Sequence, residues 1–399
     1  MAWTIFSFLS LIFFSFTLFF LLSISSISCS SSPSGNSLRP LDPGRTKSHN
    51  GFEQWLTWNV EKHRRRSALK QELTGSQRPA ANATWGTLLD WKLRYAEANK
   101  IEVTVSQDGT GDYSSINEAL DGIPIFNRRR VIISIKPGVY REKISISRAL
   151  PFVTFQGDPL DPPTITGNDT ASVAGRGGLP LRTYQSATVA VNAHYFIAVN
   201  IRFENTAPHD VGVIGQQAVA VRVSGNKAAF YNCSFIGSQD TLYDHKGLHY
   251  FNNCFIQGSV DFIFGYGTSL YENCYLNSVA KKAASVTAQK RTASSMASGF
   301  SFKNNVVTGT GQIYLGRAWG DYSRVVFSYT FLDKLVNPQG WSDWGKPKRD
   351  SRVYYGEYKC SGPGANMTGR VTWARVLSDE EAKPFIGTHY VDGESWLLI

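Results

Sequence analysis

Three Asn-Cys pairs recur in this chain at a nearly fixed interval. Cys233, Cys254 and Cys274 lie 21 and 20 residues apart, and each pair opens a short run of alternating aromatic and aliphatic residues. Such a period is expected when each repeat is one coil of a solenoid, because a single coil cannot bury its apolar face alone. Looser copies, FEN at Phe203 to Asn205 and FKNN at Phe302 to Asn305, extend the pattern with longer insertions. The simplest all-β architecture that produces this is a right-handed parallel β-helix.

The repeat brings chemistry into register. Asp240 and Asp261 each lie 7 residues after their cysteines, so they occupy equivalent places on successive coils. Parallel strands sit about 4.8 Å apart, close enough for one carboxylate to influence ionisation of the other. Asp240 stands in SQDTLY and Asp261 in SVDFIFGYG. Apolar neighbours raise the cost of ionising both, which keeps one acid protonated beside an ionised partner.

Net charge narrows the partners. The 399 residues carry a formal charge of +10, which favours an anionic partner such as nucleic acid, anionic lipid or acidic polysaccharide. Trp3 to Leu22 is nearly unbroken Phe, Leu and Ile, followed by SISSISCSSSPSGNS. It reads as a secretory signal over residues 1–28 or as an uncleaved anchor, since no basic residue precedes it and no A-x-A site follows. Either route leaves the cytosol, so nucleic acid drops away and an extracellular polyanion rises.

The 5 cysteines leave two readings open for the repeat: a disulfide between Cys233 and Cys254, or a ladder of buried thiols. Sequons at Asn82, Asn168, Asn232 and Asn366 suit a secreted glycoprotein, with Asn232 expected to be too buried for modification. Residues 29–100 read as an extension or linker. Its HRRRS cluster at His63 to Ser67 is a processing site, a polyanion contact or a solvated helix face. Trp55, Trp58, Trp85 and Trp91 suggest partial packing against the main domain, expected over 101–399.

From Ile101 the order is strand, Gly-rich turn, then a short capping helix with a capping box from Ser115 to Glu118 and a stop at Gly122 and Pro124. RVIISIKPGVYREKISI predicts two strands around a Pro137-Gly138 turn. AKKAASVTAQKRTASSMASGF, residues 280–300, has the polarity of a surface loop, and the tail is expected to wrap back along the solenoid. Gly175 to Gly178 reads as a turn, because the strand-to-helix context of a dinucleotide loop is missing. His194, His209, His245 and His249 show no metal spacing, and Tyr140 and Glu142 read as turn-fixing residues.

Five motifs carry a family resemblance: GVYRE at Gly138 to Glu142, QAVAVR at Gln217 to Arg222, QDTLY at Gln239 to Tyr243, VDFIFG at Val260 to Gly265 and LGRAW at Leu315 to Trp319. In that order they resemble the plant pectin methylesterases, parallel β-helix carbohydrate esterases of the cell wall, over roughly Ile101 to Leu398. With about 70 residues between the signal and Ile101, the chain is similar to the shorter class without an N-terminal inhibitor-like domain. Ala318 stands where the family usually has proline, which implies a looser turn behind Arg317 and Trp319.

Position by position, the resemblance implies that Asp261 is the nucleophile and Asp240 the proton donor. Gln217 and Gln239 would stabilise the oxyanion, and Arg317 would hold Asp261 as its anion. Trp319 and Phe264 would pack on sugar rings, and Thr183 would touch a sugar. The substrate implied is methyl-esterified homogalacturonan, with no cofactor or metal, a monomeric enzyme and a protein inhibitor as a further partner. Two other readings share the fold. β-Helix enzymes that cut the galacturonan backbone also use paired carboxylates, and a non-catalytic wall protein could bind pectin by charge alone.

Overall fold

The computed structural model describes residues 89–208 and 213–398. The signal reading, HRRRS, Trp55, Trp58, Trp85, Asn82 and His209 lie outside them.

Short β-branched and aromatic runs form three parallel faces of a right-handed β-helix. The first face stacks eleven strands in one sheet, beginning with Ile101–Val105 and Val131–Ile135 and running to Tyr354–Tyr358 and Arg375–Val376. Ala229 pairs with Tyr250 and Tyr250 with Leu270, so two central coils reproduce the cysteine spacing. A second face includes Ser234–Ile236 and Phe255–Gly258, and a third carries Val189–Val191, Val221–Val223, Leu242–Asp244 and Ile263–Gly265. Tyr275–Gln289 runs through both the second and third faces.

The interior is filled by rows of like residues. Phe230, Phe251, Tyr271, Phe302 and Phe327 stack at successive centroid distances of 4.9, 4.5, 4.6 and 4.4 Å. Each pair adds about 0.5–1.5 kcal/mol beyond its burial. Cys233, Cys254 and Cys274 are buried free thiols, which decides for the thiol ladder over the disulfide. Burial pushes the Cys233 thiol up to about 12, so it remains protonated and donates to the Tyr231 carbonyl at 3.4 Å. At the corner before each cysteine, Asn232, Asn253 and Asn273 adopt left-handed φ of 53, 56 and 58°, a region asparagine tolerates better than most residues. Asn232 donates to Asn200 at 3.3 Å and accepts from Asn253, forming an amide ladder. That occupies the Asn232 side chain, whereas Asn168 and Asn366 are exposed.

The N-terminal opening is covered by a helix, α1 (Ile116–Asp121), with the expected capping box at Ser115 and Glu118. Glu142 reinforces it by accepting from the Ile116 and Asn117 amides at 2.9 Å each. Trp91–Ala98 forms another helix ahead of the first strand. Its Leu93 and Ala96 pack with Phe152, Tyr250 and Trp396 while Trp91 is 66% exposed, so this tryptophan does not make the expected packing contact. The tail wraps back as expected: Ser395 accepts from the Asp90 amide at 2.9 Å.

Two local expectations are corrected. RVIISIKPGVYREKISI forms three strands, because Ile144–Ile146 turns away from Val139–Arg141 to open the third face. Ala280 to Gln289 is strand rather than surface loop. Lys281, Lys282 and Ala283 protrude beside a register shift, while Ser285, Val286 and Thr287 are buried. A charged bulge gives a polar appearance to a segment that is mostly interior.

Candidate active site

The third face presents one row of side chains inward and the next outward, because alternate residues of a strand point to opposite sides. Val221, Leu242, Ile263, Thr287 and Gly316 share one register row, and Arg222, Tyr243, Phe264, Ala288 and Arg317 share the next. The first four side chains of the former are wholly buried. In the latter, Tyr243, Phe264 and Ala288 cluster with Trp319 and Trp344.

Asp240 and Asp261 sit just before two of these strands, at left-handed corners with φ of 63 and 51°. The Asp240 amide donates to the Val260 carbonyl at 3.1 Å, which places the acids on neighbouring coils, and the residues are only 8% and 5% exposed. Their surroundings differ. Arg317 Nε lies 2.7 and 3.0 Å from the Asp261 carboxylate oxygens, and Nη2 donates to the same carboxylate. Ser285 donates its hydroxyl to Asp261 as well. The Arg317 guanidinium lies 3.6 Å from the centre of the Trp344 ring, so ring and carboxylate fix it together.

Among the described residues, Asp240 has no hydrogen-bond or ion-pair partner for its carboxyl. Burial, and then the nearby Asp261 charge, hold it well above the usual carboxylate range, with Arg317 only partly opposing. An unpaired buried carboxylate costs several kcal/mol, so Asp240 keeps its proton. One acid is therefore anchored by an arginine and a serine, while its neighbour is buried without a partner and held neutral.

Gln217 and Gln239 stand half-buried on adjacent coils, linked by the Ala218 amide to the Gln239 carbonyl at 3.1 Å. Among the described residues neither side-chain amide has a partner, so both donors are available to a ligand. Trp319 is half-buried, with Lys290 Nζ 4.0 Å from its ring centre. Phe264 is 3% exposed and stacks on Tyr243 at 4.3 Å, so it backs the aromatic floor. Thr183 lies in the one-turn helix Arg182–Gln185. Its neighbour Tyr184 meets Tyr243 edge-on at 6.3 Å.

Ala318 does not loosen the turn. Its N–H donates to the Ser342 carbonyl at 2.9 Å, a bond that proline cannot make. The Arg317 strand is thereby tied to Trp341–Ser342, two residues before the ring that braces Arg317.

Sequence reasoning missed Ser285 and Trp344. The first was hidden in AKKAAS, and the second stood in WSDWG without any pattern linking it to Arg317. It also missed the buried network under the groove. His249 Nδ1 lies 2.5 Å from Asp244, Nε2 faces the Gly225 carbonyl at 2.9 Å, and Tyr271 donates to Asp244 at 2.7 Å. Among the described residues no three His, Cys, Asp or Glu side chains converge as a metal cluster.

Comparison with known proteins gives the same family from independent directions. A profile described as pectinesterase matches residues 102–394. Pectinesterase QRT1 of Arabidopsis thaliana is 45% identical over 320 residues, covering 80% of this chain and 84% of that protein. The solved carrot pectin methylesterase aligns with a TM-score of 0.68 and 36% identity over 74% of this chain and 94% of the other. A pectin methylesterase in complex with a hexasaccharide aligns at 0.63 with 26% identity, over 74% and 98% of the two chains. With this profile, these relatives and a matching β-helix, the chain belongs to the pectinesterase family and is a carboxylic ester hydrolase acting as a pectin methylesterase.

Proposed function

We propose that the enzyme removes methyl groups from homogalacturonan in the plant cell wall, with Asp261 as nucleophile and Asp240 as general acid and base. The observation that carries this reading is the unequal attendance of the acids: Arg317 holds Asp261 and no described residue pairs with Asp240. A nucleophile must be ionised and a leaving alcohol needs a proton, so the two roles call for opposite protonation states.

The Asp261 carboxylate attacks the C6 carbonyl of a methyl-esterified galacturonate unit. The resulting oxyanion accepts hydrogen bonds from the Gln217 and Gln239 amides, whose donors have no competing internal partner. Such donors contribute on the order of 3 kcal/mol each when aimed at the developing charge. The carbonyl re-forms, the C–O bond to methoxide breaks and Asp240 supplies the proton that releases methanol. Asp240, now ionised, takes a proton from water, and the hydroxide opens the acyl-enzyme anhydride. Water has supplied the proton that restores Asp240 and the hydroxyl of a new carboxylic acid on the polymer, which then loses its proton to solvent, and both acids return to their starting forms. Trp319, supported by Phe264, and Thr183 hold the sugars.

Reaching the wall requires secretion, for which residues 1–28 supply the signal, and Asn168 and Asn366 are the exposed described sequons. The enzyme acts as a monomer, and a protein inhibitor would compete for the same groove.

The test is to incubate methylated pectin with purified enzyme and to measure methanol and new reducing ends together. Methanol without reducing ends, lost in Asp261→Ala, is expected. Reducing ends without methanol would establish backbone cleavage instead, and pectin binding with neither product would leave only a wall-binding protein.

A further inference from the structure

The column of corner residues that holds Asp240 and Asp261 continues onto the next coil. Leu242, Ile263 and Thr287 share one register row, and Asp240, Asp261 and Ser285 each stand two residues before it. Ser285 is therefore the counterpart of the two acids. It is 1% exposed and engages Asp261 twice. Its carbonyl accepts from the Asp261 N–H at 2.9 Å, and its hydroxyl donates to Asp261 Oδ1. Among the described residues that hydroxyl has no other partner.

The two carboxylate oxygens of Asp261 are not attended equally. A carboxylate offers about four lone-pair sites, shared between its oxygens. Arg317 Nε lies 2.7 Å from Oδ1 and 3.0 Å from Oδ2, and it carries a single proton, which the shorter contact assigns to Oδ1. With the Ser285 hydroxyl on the same atom, both sites of Oδ1 are filled. Oδ2 accepts from Arg317 Nη2 and keeps a site open. The guanidinium fork alone would treat the oxygens alike, so the serine is what makes them different.

We infer that Ser285 is a positioning residue for the reaction: it saturates Oδ1 and leaves Oδ2 as the atom that attacks the ester. The inference rests on the esterase reading. A lone pair of Oδ2 forms the bond to C6, the bond from C6 to methoxide breaks, and methoxide takes the Asp240 proton. Oδ1 is then the carbonyl oxygen on the enzyme side of the anhydride, and the serine hydroxyl still donates to it. When hydroxide adds at C6 the bond to Oδ2 breaks and its electron pair returns to Asp261, where Ser285 and Arg317 receive the restored charge. The carboxyl plane is thus held through both halves of the cycle without a change of donor. Being buried, Ser285 reaches no sugar, so it acts on turnover and not on substrate affinity.

Methanol release from methylated pectin, measured per folded molecule with kcat and KM separated, tests it. Ser285→Ala should lower kcat by about tenfold to a hundredfold, as for loss of one hydrogen bond to a charged group. KM should stay within about twofold of wild type, since no ground-state contact with the polymer is removed. The control is Ser301→Ala, which deletes an equally buried hydroxyl on the first face, where it donates to the Phe385 carbonyl at 2.7 Å; its kcat should be that of wild type. Thr and Val have nearly the same bulk, so comparing Ser285→Thr with Ser285→Val cancels the cost of repacking and leaves only the hydroxyl. The Thr variant should turn over about tenfold faster or more, and this ratio carries the test even where the Ala variant does not fold. Equal kcat in the Thr and Val variants, or a rise in KM at unchanged kcat in Ser285→Ala, would overturn the inference while wild-type activity that is lost in Asp261→Ala leaves the esterase reading standing. Methanol release that survives Asp261→Ala would overturn the nucleophile and the role of Ser285 with it.

Discussion

Two corners of the same solenoid use the same backbone geometry and end in opposite chemical states. At one, Asn232 and Asn253 stand on adjacent coils in the left-handed region, and at the other Asp240 and Asp261 do so, again 21 residues apart. A primary amide carries both donors and acceptors, so a column of asparagines satisfies itself. An ionised carboxylate only accepts, so a column of aspartates cannot. The fold resolves the second case by giving one acid an arginine and a serine and by leaving the other protonated. The acidic corner is thus a structural corner in which the self-satisfying residue has been replaced by one that needs outside help.

Converting the acidic corner back is the largest perturbation. Asp261→Asn supplies the amide that the other corner uses, and it removes the attacking anion while nearly preserving shape. Methanol release should fall by about 10⁴-fold or more, as for other enzymes that lose a nucleophile. Activity within tenfold of wild type would assign the attack elsewhere.

Asp240→Asn comes next, and it separates chemistry from stability. Loss of the proton donor should cost about 10² to 10⁴ in kcat. Stability should move the other way. Because the folded-state pKa of Asp240 is raised, its neutral form is compatible with the fold below the unfolded value near 3.8. Stability is then lost as pH rises through the raised folded value, where the buried group must ionise or the chain must unfold. A neutral amide escapes that penalty. The melting temperature of Asp240→Asn should therefore exceed wild type by about 2 °C or more at pH 8, and the gap should close toward pH 4. A gap independent of pH would mean that Asp240 is not the protonated member.

How much of this could be read from the sequence follows from the same contrast. The acids, glutamines and arginine stand in contiguous motifs, and the cysteine period fixes their register because successive coils there have constant length. Where coil length changes, legibility ends. Ile263 pairs with Thr287, a 24-residue step over a segment with exposed lysines, so nothing in the local pattern assigns Ser285 to Asp261. Trp344 reaches Arg317 from a still later coil. Arg222 reads as part of a motif, but only the fold shows that it is buried under Tyr184 and, among the described residues, bonded to neutral groups alone. Residues that repeat locally are visible, whereas those meeting through unequal insertions are not.

Placing an acid in the amide ladder tests the comparison from the structural side. Asn253→Asp sets a carboxylate oxygen against Asn232 Oδ1, which now accepts from the Asn253 amide. The site is 1% exposed, so the variant should lose about 1–3 kcal/mol at neutral pH and recover part of it in acid, when the new carboxyl can donate. Thermal melts at pH 4 and pH 8 read this directly. Methanol release per folded molecule should remain that of wild type, because this corner lies outside the groove.

The smallest effect concerns the brace behind Arg317. Ala318→Pro deletes the N–H that bonds the Ser342 carbonyl and leaves the Arg317 pair with Asp261 in place. Loss of one buried backbone bond costs about 1 kcal/mol, so the melting temperature should drop by about 2–4 °C. The kcat should fall less than tenfold, since Trp344 and the carboxylate still orient the guanidinium from two sides. An unchanged melting temperature would show that the Ser342 carbonyl finds another donor. A loss of activity as large as that of Asp261→Asn would mean that the strand tie, rather than the ion pair, sets the position of the arginine.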